Sequence, residues 1–365
     1  MEMKIALTGA RGFLGWHTRV LAHSLGHSVV PIRLGPSFDA AAARSAVDGA
    51  DLLVHLAGVN RGTDDEVKEG NRVAARQVSD AVVSASSPPL RIAFSNSVQS
   101  GNGTVYGGAK ESAGDLLGET ARAVGASYIN AHLPNIFGEH GRPQYNSVLA
   151  TFCDLVARGL APAIHQDKEL RFLHAQRAAE VMLGELSINR MDDHVRTLSV
   201  SGAAEKLQNL ANVYKDGTIP DIHDPFDRDL FNTYRSFLVG EKLPIRLTRH
   251  ADSRGSFFEV VRSRGGEGQS SFSTTVPGIT RGQHYHRRKI ERFTVLSGHA
   301  EIAVRRMFDD KVYTYNVNGD EPVAIDMPTM WTHKITNTGS DPLFTMFWIS
   351  EIYDPASPDT IPEEV

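Results

Sequence analysis

The run Gly282-Gln283-His284-Tyr285-His286-Arg287-Arg288-Lys289-Ile290-Glu291 narrows what this chain can fold into more than any other stretch. Side chains on a strand alternate between faces, so two imidazoles one residue apart, His284 and His286, point the same way. A carboxylate follows at Glu291, Phe293-Thr294-Val295-Leu296 reads as the next strand, and Gly298 as its turn. Further on, Pro328-Thr329-Met330-Trp331-Thr332-His333 supplies a third imidazole, with Asn337 beyond it. Three neutral nitrogens and one carboxylate make a site for a divalent transition metal that leaves coordination positions open for a substrate. Read instead as polar residues on the wet face of a sheet, the four ligand types would have to reach this spacing by accident.

The spacing resembles the two sequence motifs of the cupin β-barrel family: His-x-His, four residues, Glu, six residues, Gly, and then Pro-x-x-x-x-His, three residues, Asn. The resemblance implies that His284, His286, Glu291 and His333 are the metal ligands. The family usually carries Gly where this chain has Met330, which implies a reshaped turn and a narrower pocket.

At 365 residues the chain can hold two independent cores, and 41% hydrophobic with 22% charged residues is the composition of a soluble globular protein. A net charge of −5 without a basic block argues against nucleic-acid binding. The single cysteine, Cys153, excludes an intrachain disulfide and fits a reducing compartment. Inside the apolar run Val148-Leu149-Ala150-Thr151-Phe152 it reads as core packing rather than as a nucleophile. No signal peptide and no apolar run of membrane-spanning length appears, so a cytoplasmic protein without membrane insertion is expected.

Met3-Lys4-Ile5-Ala6-Leu7 is a short apolar strand that stops at Thr8-Gly9-Ala10-Arg11-Gly12-Phe13-Leu14-Gly15, after which Trp16 to Leu25 has helical character. Strand, glycine-rich turn and helix are the context a dinucleotide pyrophosphate needs: the backbone can approach closely and the helix start offers unpaired N–H groups. Gly9, Arg11, Gly12, Phe13, Leu14 and Gly15 are the expected contacts. The next strand, His27 to Ile32, ends in Arg33 rather than in a carboxylate. With Arg11 it can meet a 2′-phosphate, which points to NADPH. Leu52 to Gly58 closes on Leu56, Ala57 and Gly58, small enough to pass under the cofactor. Strands and helices go on alternating (Glu66 to Val83 helical, Arg91 to Ser95 extended, Lys110 to Val124 helical, Tyr128 to Leu133 extended), giving an α/β, doubly wound, Rossmann-like parallel sheet.

Tyr106 and Lys110 stand four apart and share a helix face. A nearby ammonium favours phenolate and is expected to lower the tyrosine toward working pH, so that it can give a proton to a carbonyl oxygen as hydride arrives at carbon. Ser97 can hold the same oxygen, with Ser95 as its rival. Residues 1 to 240 resemble the extended short-chain dehydrogenase/reductase family through Gly9, Gly12 and Gly15, His55-Leu56-Ala57-Gly58, Asn71, Ser97, Tyr106, Lys110 and Pro134-Asn135-Ile136-Phe137-Gly138. The resemblance implies that Lys110 binds the nicotinamide ribose and that Pro134, Asn135 and Ile136 line the nicotinamide. It also implies that Asn135, Arg142, Tyr145 and Asn146 hold a nucleotide sugar. The family's Tyr-Val-x-Asp segment is missing near Leu173-His174-Ala175-Gln176.

After Gly240 the pattern changes to short strands separated by turns, which reads as an all-β barrel; the expected domains are 1–243 and 244–365. Asp252 to Glu259 and Thr280 to Tyr285 resemble the nucleotide-sugar 3,5-epimerases, cupins that act on 4-keto-6-deoxy sugars. There the residue matching His284 is the base, which competes with its role as a ligand, and Arg254 and Glu259 would contact substrate. A 4-keto sugar joins the two chemistries, since its carbonyl acidifies the adjacent C–H and then accepts hydride. The whole chain resembles bifunctional bacterial enzymes that form UDP-N-acetyl-L-talosamine on the way to UDP-N-acetyl-L-fucosamine of capsules or O-antigens. That implies a UDP-4-keto-6-deoxy-N-acetylhexosamine substrate, zinc in the barrel and a homodimer joined through the barrels. Two other readings stay open: a plain 4-ketosugar reductase whose barrel serves dimerisation or ligand sensing, and an iron oxygenase.

Overall fold

From the first apolar run the chain alternates strand and helix: β1 (Lys4–Thr8), α1 (Phe13–Ser24), β2 (Ser28–Ile32), α2 (Ala40–Val47), β3 (Leu52–His55), α3 (Asp64–Val83), β4 (Arg91–Ser97), α4 (Val105–Val124) and β5 (Ser127–Leu133). The structure, a computed structural model, describes residues 2–240 and 242–365. The five strands pair in parallel in the order β2-β1-β3-β4-β5. A parallel sheet covered on both faces needs strands that are apolar throughout, and all of β3 is buried. Ile5, Leu7 and Val54 pack against Val181 and Met182 on one face, while Leu53, Ile92 and Phe94 pack against Val78, Val82 and Leu117 on the other. At β1 the order turns back, and the crevice outside the carboxyl ends of β1 and β3 is where such sheets bind ligands.

β6 (Asn135–Phe137), α5 (Val148–Ala157), β7 (Glu169–His174), α6 (Ala175–Leu183), β8 (Arg196–Ser199), α7 (Val200–Tyr214) and α8 (Pro225–Arg235) follow. β6, β7 and β8 form a separate three-stranded sheet. Two compact units interleave in sequence: residues up to Phe137 with Glu169–Leu198, and Gly138–Lys168 with Ser199–Val365. Helix starts fall where capping puts them. α3 begins before the expected Glu66 because the Thr63 side chain and the Glu66 carboxylate each accept the other's backbone N–H. α8 begins at Pro225 because Asp224 caps it.

The second unit adds β9 (Ile245–Arg246), β10 (His250–Asp252), β11 (Gly255–Phe257), β12 (Gln269–Thr275), β13 (Thr280–Tyr285), β14 (Glu291–Ser297), β15 (His299–Arg306), β16 (Val312–Asn318), β17 (Val323–Met327), β18 (Trp331–Asn337), β19 (Leu343–Ile349) and β20 (Ile361–Pro362). Two antiparallel sheets, β12-β19-β14-β17-β9 and β16-β15-β18-β13-β20, make the barrel. Inward-facing Phe293, Val295, Ile302, Val304, Ile325 and Ile335 fill it. On the other face of β14, Arg292 meets Asp326 of β17 through two hydrogen bonds of 2.6 and 2.8 Å. The Tyr214 hydroxyl donates to the same carboxylate at 2.6 Å, and Arg235 donates to the Met327 carbonyl at 2.5 Å. This buried network fastens α7 and α8 to the barrel wall.

Candidate functional site

The glycine loop closes only with glycine at both ends. Gly9 has φ +70°, and a Cβ on Gly15 would lie 2.0 Å from the Gly9 carbonyl oxygen. α1 starts just after Gly12, which offers no side-chain cap, so no side chain competes for its first N–H groups. Thr8 Oγ1 accepts the N–H groups of Leu56 at 3.0 Å and Ala57 at 3.2 Å, tying this loop to Leu56-Ala57-Gly58. Arg11 and Arg33 are both exposed, while Phe13 and Leu14 are half-buried. Open N–H groups, two free guanidinium positions and a close-packed turn fit a dinucleotide. His55, which contacts Thr8 Oγ1 at 2.8 Å, is pushed down to about 3 by burial and by Lys110, and stays neutral.

Ser97, Tyr106 and Lys110 come together at the end of β4 and the start of α4. Thr104 caps α4 by accepting the Gly107 N–H at 3.0 Å, which fixes where Tyr106 enters the helix. The Tyr106 phenol faces Ser97 closely enough for that hydroxyl to counter part of the effect of burial. Ser95, the rival, donates its hydroxyl to the His55 carbonyl at 3.3 Å. Lys110 is buried, with Nζ donating to the Ser95 carbonyl at 2.6 Å and lying 4.2 Å from the centre of the Phe94 ring. The expected lowering of Tyr106 does not occur: burial raises it, and the nearby Ser97 only partly offsets the rise. The Lys110 ammonium is spent on a carbonyl, and burial drops it to about 7.

That depressed lysine makes a prediction about stability. The cost of burying the charge is fully present below about pH 7 and fades as pH rises toward the ordinary value of 10.5, because only the unfolded chain then binds the proton. Without cofactor, wild type should gain on the order of 3 kcal/mol relative to Lys110→Met between neutral and strongly alkaline pH. Denaturant melts of the two chains across that range check this; parallel profiles contradict it.

The remaining expected contacts divide between the two units. Pro134 is buried, Ile136 is half-buried, and Asn135 donates to the Arg171 carbonyl at 3.1 Å. Arg142, Tyr145 and Asn146 are exposed and belong to the second unit, where the Arg142 guanidinium sits 5.0 Å from the Tyr145 ring centre. Asn71 braces the turn after β3 by donating to the Val59 and Val67 carbonyls. Arg254 and Glu259 are both exposed, Arg254 pairing with Asp252 at 2.7 Å and Glu259 with Arg262.

In the barrel, His284, His286, Glu291 and His333 converge, each offering a ligand atom within 4.8 Å of the others. The three imidazoles lie on or beside β13 and β18, where His284 pairs with His333, and Glu291 comes from β14 of the facing sheet. Strand alternation alone does not align the two histidines. A β-bulge at Gln283, with φ +60°, interrupts β13, and His286 lies just past the strand end. Met330 adopts the left-handed backbone that glycine usually supplies, with φ +60°, and its N–H donates to the His286 carbonyl at 2.6 Å. Asn337 stands apart, donating to the Thr275 and Asp341 carbonyls.

The hydrogen bonds fix how these ligands point. His286 Nδ1 lies 2.6 Å from the Asp359 carbonyl oxygen and His333 Nδ1 3.2 Å from that of Trp331. A carbonyl only accepts, so Nδ1 carries the proton in both rings and Nε2 presents a lone pair. Those lone pairs face Glu291 Oε2 at 2.8 and 3.0 Å, and His284 Nε2 stands 3.6 Å from the same oxygen. Either a proton on an Nε2 or a cation between the groups relieves so close an approach, and this donor set fits a divalent metal. Burial lowers His333 to about 4. Burial alone would raise Glu291, but the imidazoles hold its carboxyl well below the usual range. Sequence reasoning missed Asp359, which carries no ligand motif; its only signal was a turn-forming Pro-Asp pair.

Residues 250–361 match the polysaccharide biosynthesis C-terminal domain. Over 98% of its length the chain is 32% identical to the UDP-2-acetamido-2,6-β-L-arabino-hexul-4-ose reductase of Pseudomonas aeruginosa, and covers 98% of that protein. It is also similar to the crystal structure of the capsular polysaccharide assembling protein CapF from Staphylococcus aureus, with 32% identity, full coverage of both chains and a TM-score of 0.62. The UDP-N-acetylglucosamine 4-epimerase of Bacillus cereus shares the fold alone, with 15% identity and a TM-score of 0.52 over 66% of this chain and 98% of its own.

Proposed function

Because the chain belongs to the family of UDP-2-acetamido-2,6-β-L-arabino-hexul-4-ose reductases, we propose that it acts twice on one UDP-2-acetamido-2,6-dideoxy-4-hexulose. The barrel, residues 244–365, inverts C3, and residues 1–243 reduce the C4 ketone with NADPH. The product is UDP-2-acetamido-2,6-dideoxy-L-talose, a precursor of UDP-N-acetyl-L-fucosamine. What carries this reading is the presence on one chain of both a Ser97–Tyr106–Lys110 group, with its lysine buried, and a converging His/His/Glu/His set.

In the reductase half, Gly9, Arg11, Gly12, Phe13, Leu14, Gly15, Arg33 and Leu56 to Gly58 hold the nicotinamide cofactor, which supplies the hydride. Tyr106, kept protonated by burial, gives its proton to the ketone oxygen while Ser97 orients that oxygen. Lys110 holds the ribose, and Asn135, Arg142, Tyr145 and Asn146 hold the sugar nucleotide. In the barrel, His284, His286, Glu291 and His333 would hold zinc, a Lewis acid that offsets charge growing on the ketone oxygen. His284 has 21% of its side chain open to solvent against 3% for His286 and 0% for His333, so it is the imidazole a sugar ring can reach. If His284→Ala keeps its metal but loses exchange at C3, His284 is the base; if it loses metal as His333→Ala does, it is a ligand. Arg254 and Glu259 are assigned to the sugar nucleotide.

Among the described residues no helix is long and apolar enough to cross a membrane, and we place the enzyme in the cytoplasm. A homodimer through the barrels would cover the edge strand β12 and the exposed Phe257, Phe272 and Phe344. The same aromatics suit the rival reading, in which the barrel serves only dimerisation or ligand sensing.

The first test is NADPH oxidation by the purified protein on addition of the UDP-4-keto sugar. Turnover should prefer NADPH over NADH, and Arg33→Ala should shrink that preference about tenfold, one charge-assisted hydrogen bond's worth. No oxidation of either cofactor removes the reading, and an unchanged preference in Arg33→Ala removes the role of that arginine.

A further inference from the structure

The segment Ser357–Glu364 reaches a neighbour of each imidazole in the barrel cluster. Beside His284, the Gln283 carbonyl accepts the Glu363 N–H at 3.0 Å. Beside His333, the Thr332 hydroxyl donates to the Glu363 carbonyl at 2.5 Å. After His286 the contact is densest: the Asp359 carboxylate accepts the backbone N–H groups of Arg287 at 3.0 Å, Arg288 at 2.9 Å and Lys289 at 3.0 Å. The carbonyl of that same Asp359 takes the Nδ1 proton of His286 at 2.6 Å.

Other bonds seat the segment. Lys289 Nζ donates to the Pro358 carbonyl at 2.9 Å and the Thr360 hydroxyl at 3.0 Å. Arg288 donates to the Ser357 carbonyl at 3.0 Å, Arg305 to the Glu363 carboxylate at 3.0 Å, and β20 pairs with β13 opposite His284 and Tyr285. Asp359 has φ +43°, a left-handed backbone that Asp tolerates better than most side chains. Three N–H donors on one carboxylate make charge-assisted bonds strong enough to hold it there.

Resting on the reading of the four-residue cluster as a metal centre, we propose that Ser357–Glu364 is a strap that sets metal affinity, with Asp359 the positioning residue that keeps the His286 Nε2 lone pair aimed at the ion. Its carboxylate pins the turn after His286, which places its carbonyl against Nδ1. Nδ1 then keeps the proton, and the ring can turn only by breaking that bond. Binding is reciprocal: a seated strap tightens the metal, and a bound metal holds the strap.

The experiment titrates the full chain, stripped of metal, with Zn2+ against a competing chelator dye, and records the Co2+-loaded visible spectrum as a report on ligand geometry. Asp359→Ala should weaken Zn2+ binding about 10- to 100-fold, the usual effect of losing a partner behind a metal-bound imidazole, and alter the Co2+ spectrum. Asp359→Asn, which keeps one acceptor oxygen, should recover part of the loss. A merely structural aspartate would lower the melting temperature while leaving the Co2+ spectrum and Zn2+ affinity as in wild type, and that result overturns the proposal. If Asp359→Ala does not fold, hydrogen exchange in wild type decides: Zn2+ should slow exchange at the Arg287, Arg288 and Lys289 amides, and unchanged rates there overturn it. A wild type that binds neither ion strikes instead at the metal reading, which keeps the two failures distinct.

Discussion

Replacing Tyr106 by Phe should slow ketone reduction by about 10²- to 10⁴-fold, the range general-acid catalysis supplies, while NADPH still binds. The phenol is a proton donor beside Ser97 at the end of β4, and burial raises it so that it keeps its proton at neutral pH. Lys110 cannot replace it without leaving the Ser95 carbonyl, 2.6 Å from its ammonium. The substitution removes a hydroxyl and little else, so the glycine loop and α4 should stand. Single-turnover oxidation of bound NADPH by the UDP-4-keto sugar measures the effect. A rate near that of wild type would show that the proton comes from elsewhere.

His333→Ala should abolish stoichiometric metal binding and, with it, exchange at C3 of the ketose. His333 is fully buried, and its ring is held between the Trp331 carbonyl and Glu291 Oε2. Taking it away removes a ligand rather than a neighbour, so the loss should exceed the 10- to 100-fold typical of an outer partner. Metal analysis after dialysis and deuterium incorporation without NADPH give the two readouts. Retained metal contradicts the ligand assignment. Lost metal with exchange intact would mean that enolisation runs without the ion.

The parts of the site that sequence disclosed are those carried by local spacing. Gly9, Gly12 and Gly15 sit within one turn, Tyr106 and Lys110 within one turn of helix, and His284, His286 and Glu291 within one strand connection. His333 was legible only because its motif resembles that of a known family. What stayed hidden depends on residues far apart in the chain. Nothing near Asp359 announces that its carbonyl will meet His286, and Tyr214, Arg292 and Asp326 form one network drawn from a helix and two strands. The bulge at Gln283 was hidden for another reason: a non-glycine residue in left-handed backbone leaves no mark on a period-two pattern. Tyr106 shows the limit of reasoning from a pair, since proximity to Lys110 implied a lowered phenol while burial, which spacing does not reveal, raised it.

Both halves of the chain are proposed to work on one ketose. Protein incubated in D2O with the UDP-4-keto sugar, first without and then with NADPH, tests that in one vessel. Deuterium should appear at C3 before NADPH is added, and the C4-reduced product should carry the same label. Prompt reduction at C4 with only protium at C3 would contradict it and leave the barrel without a catalytic role.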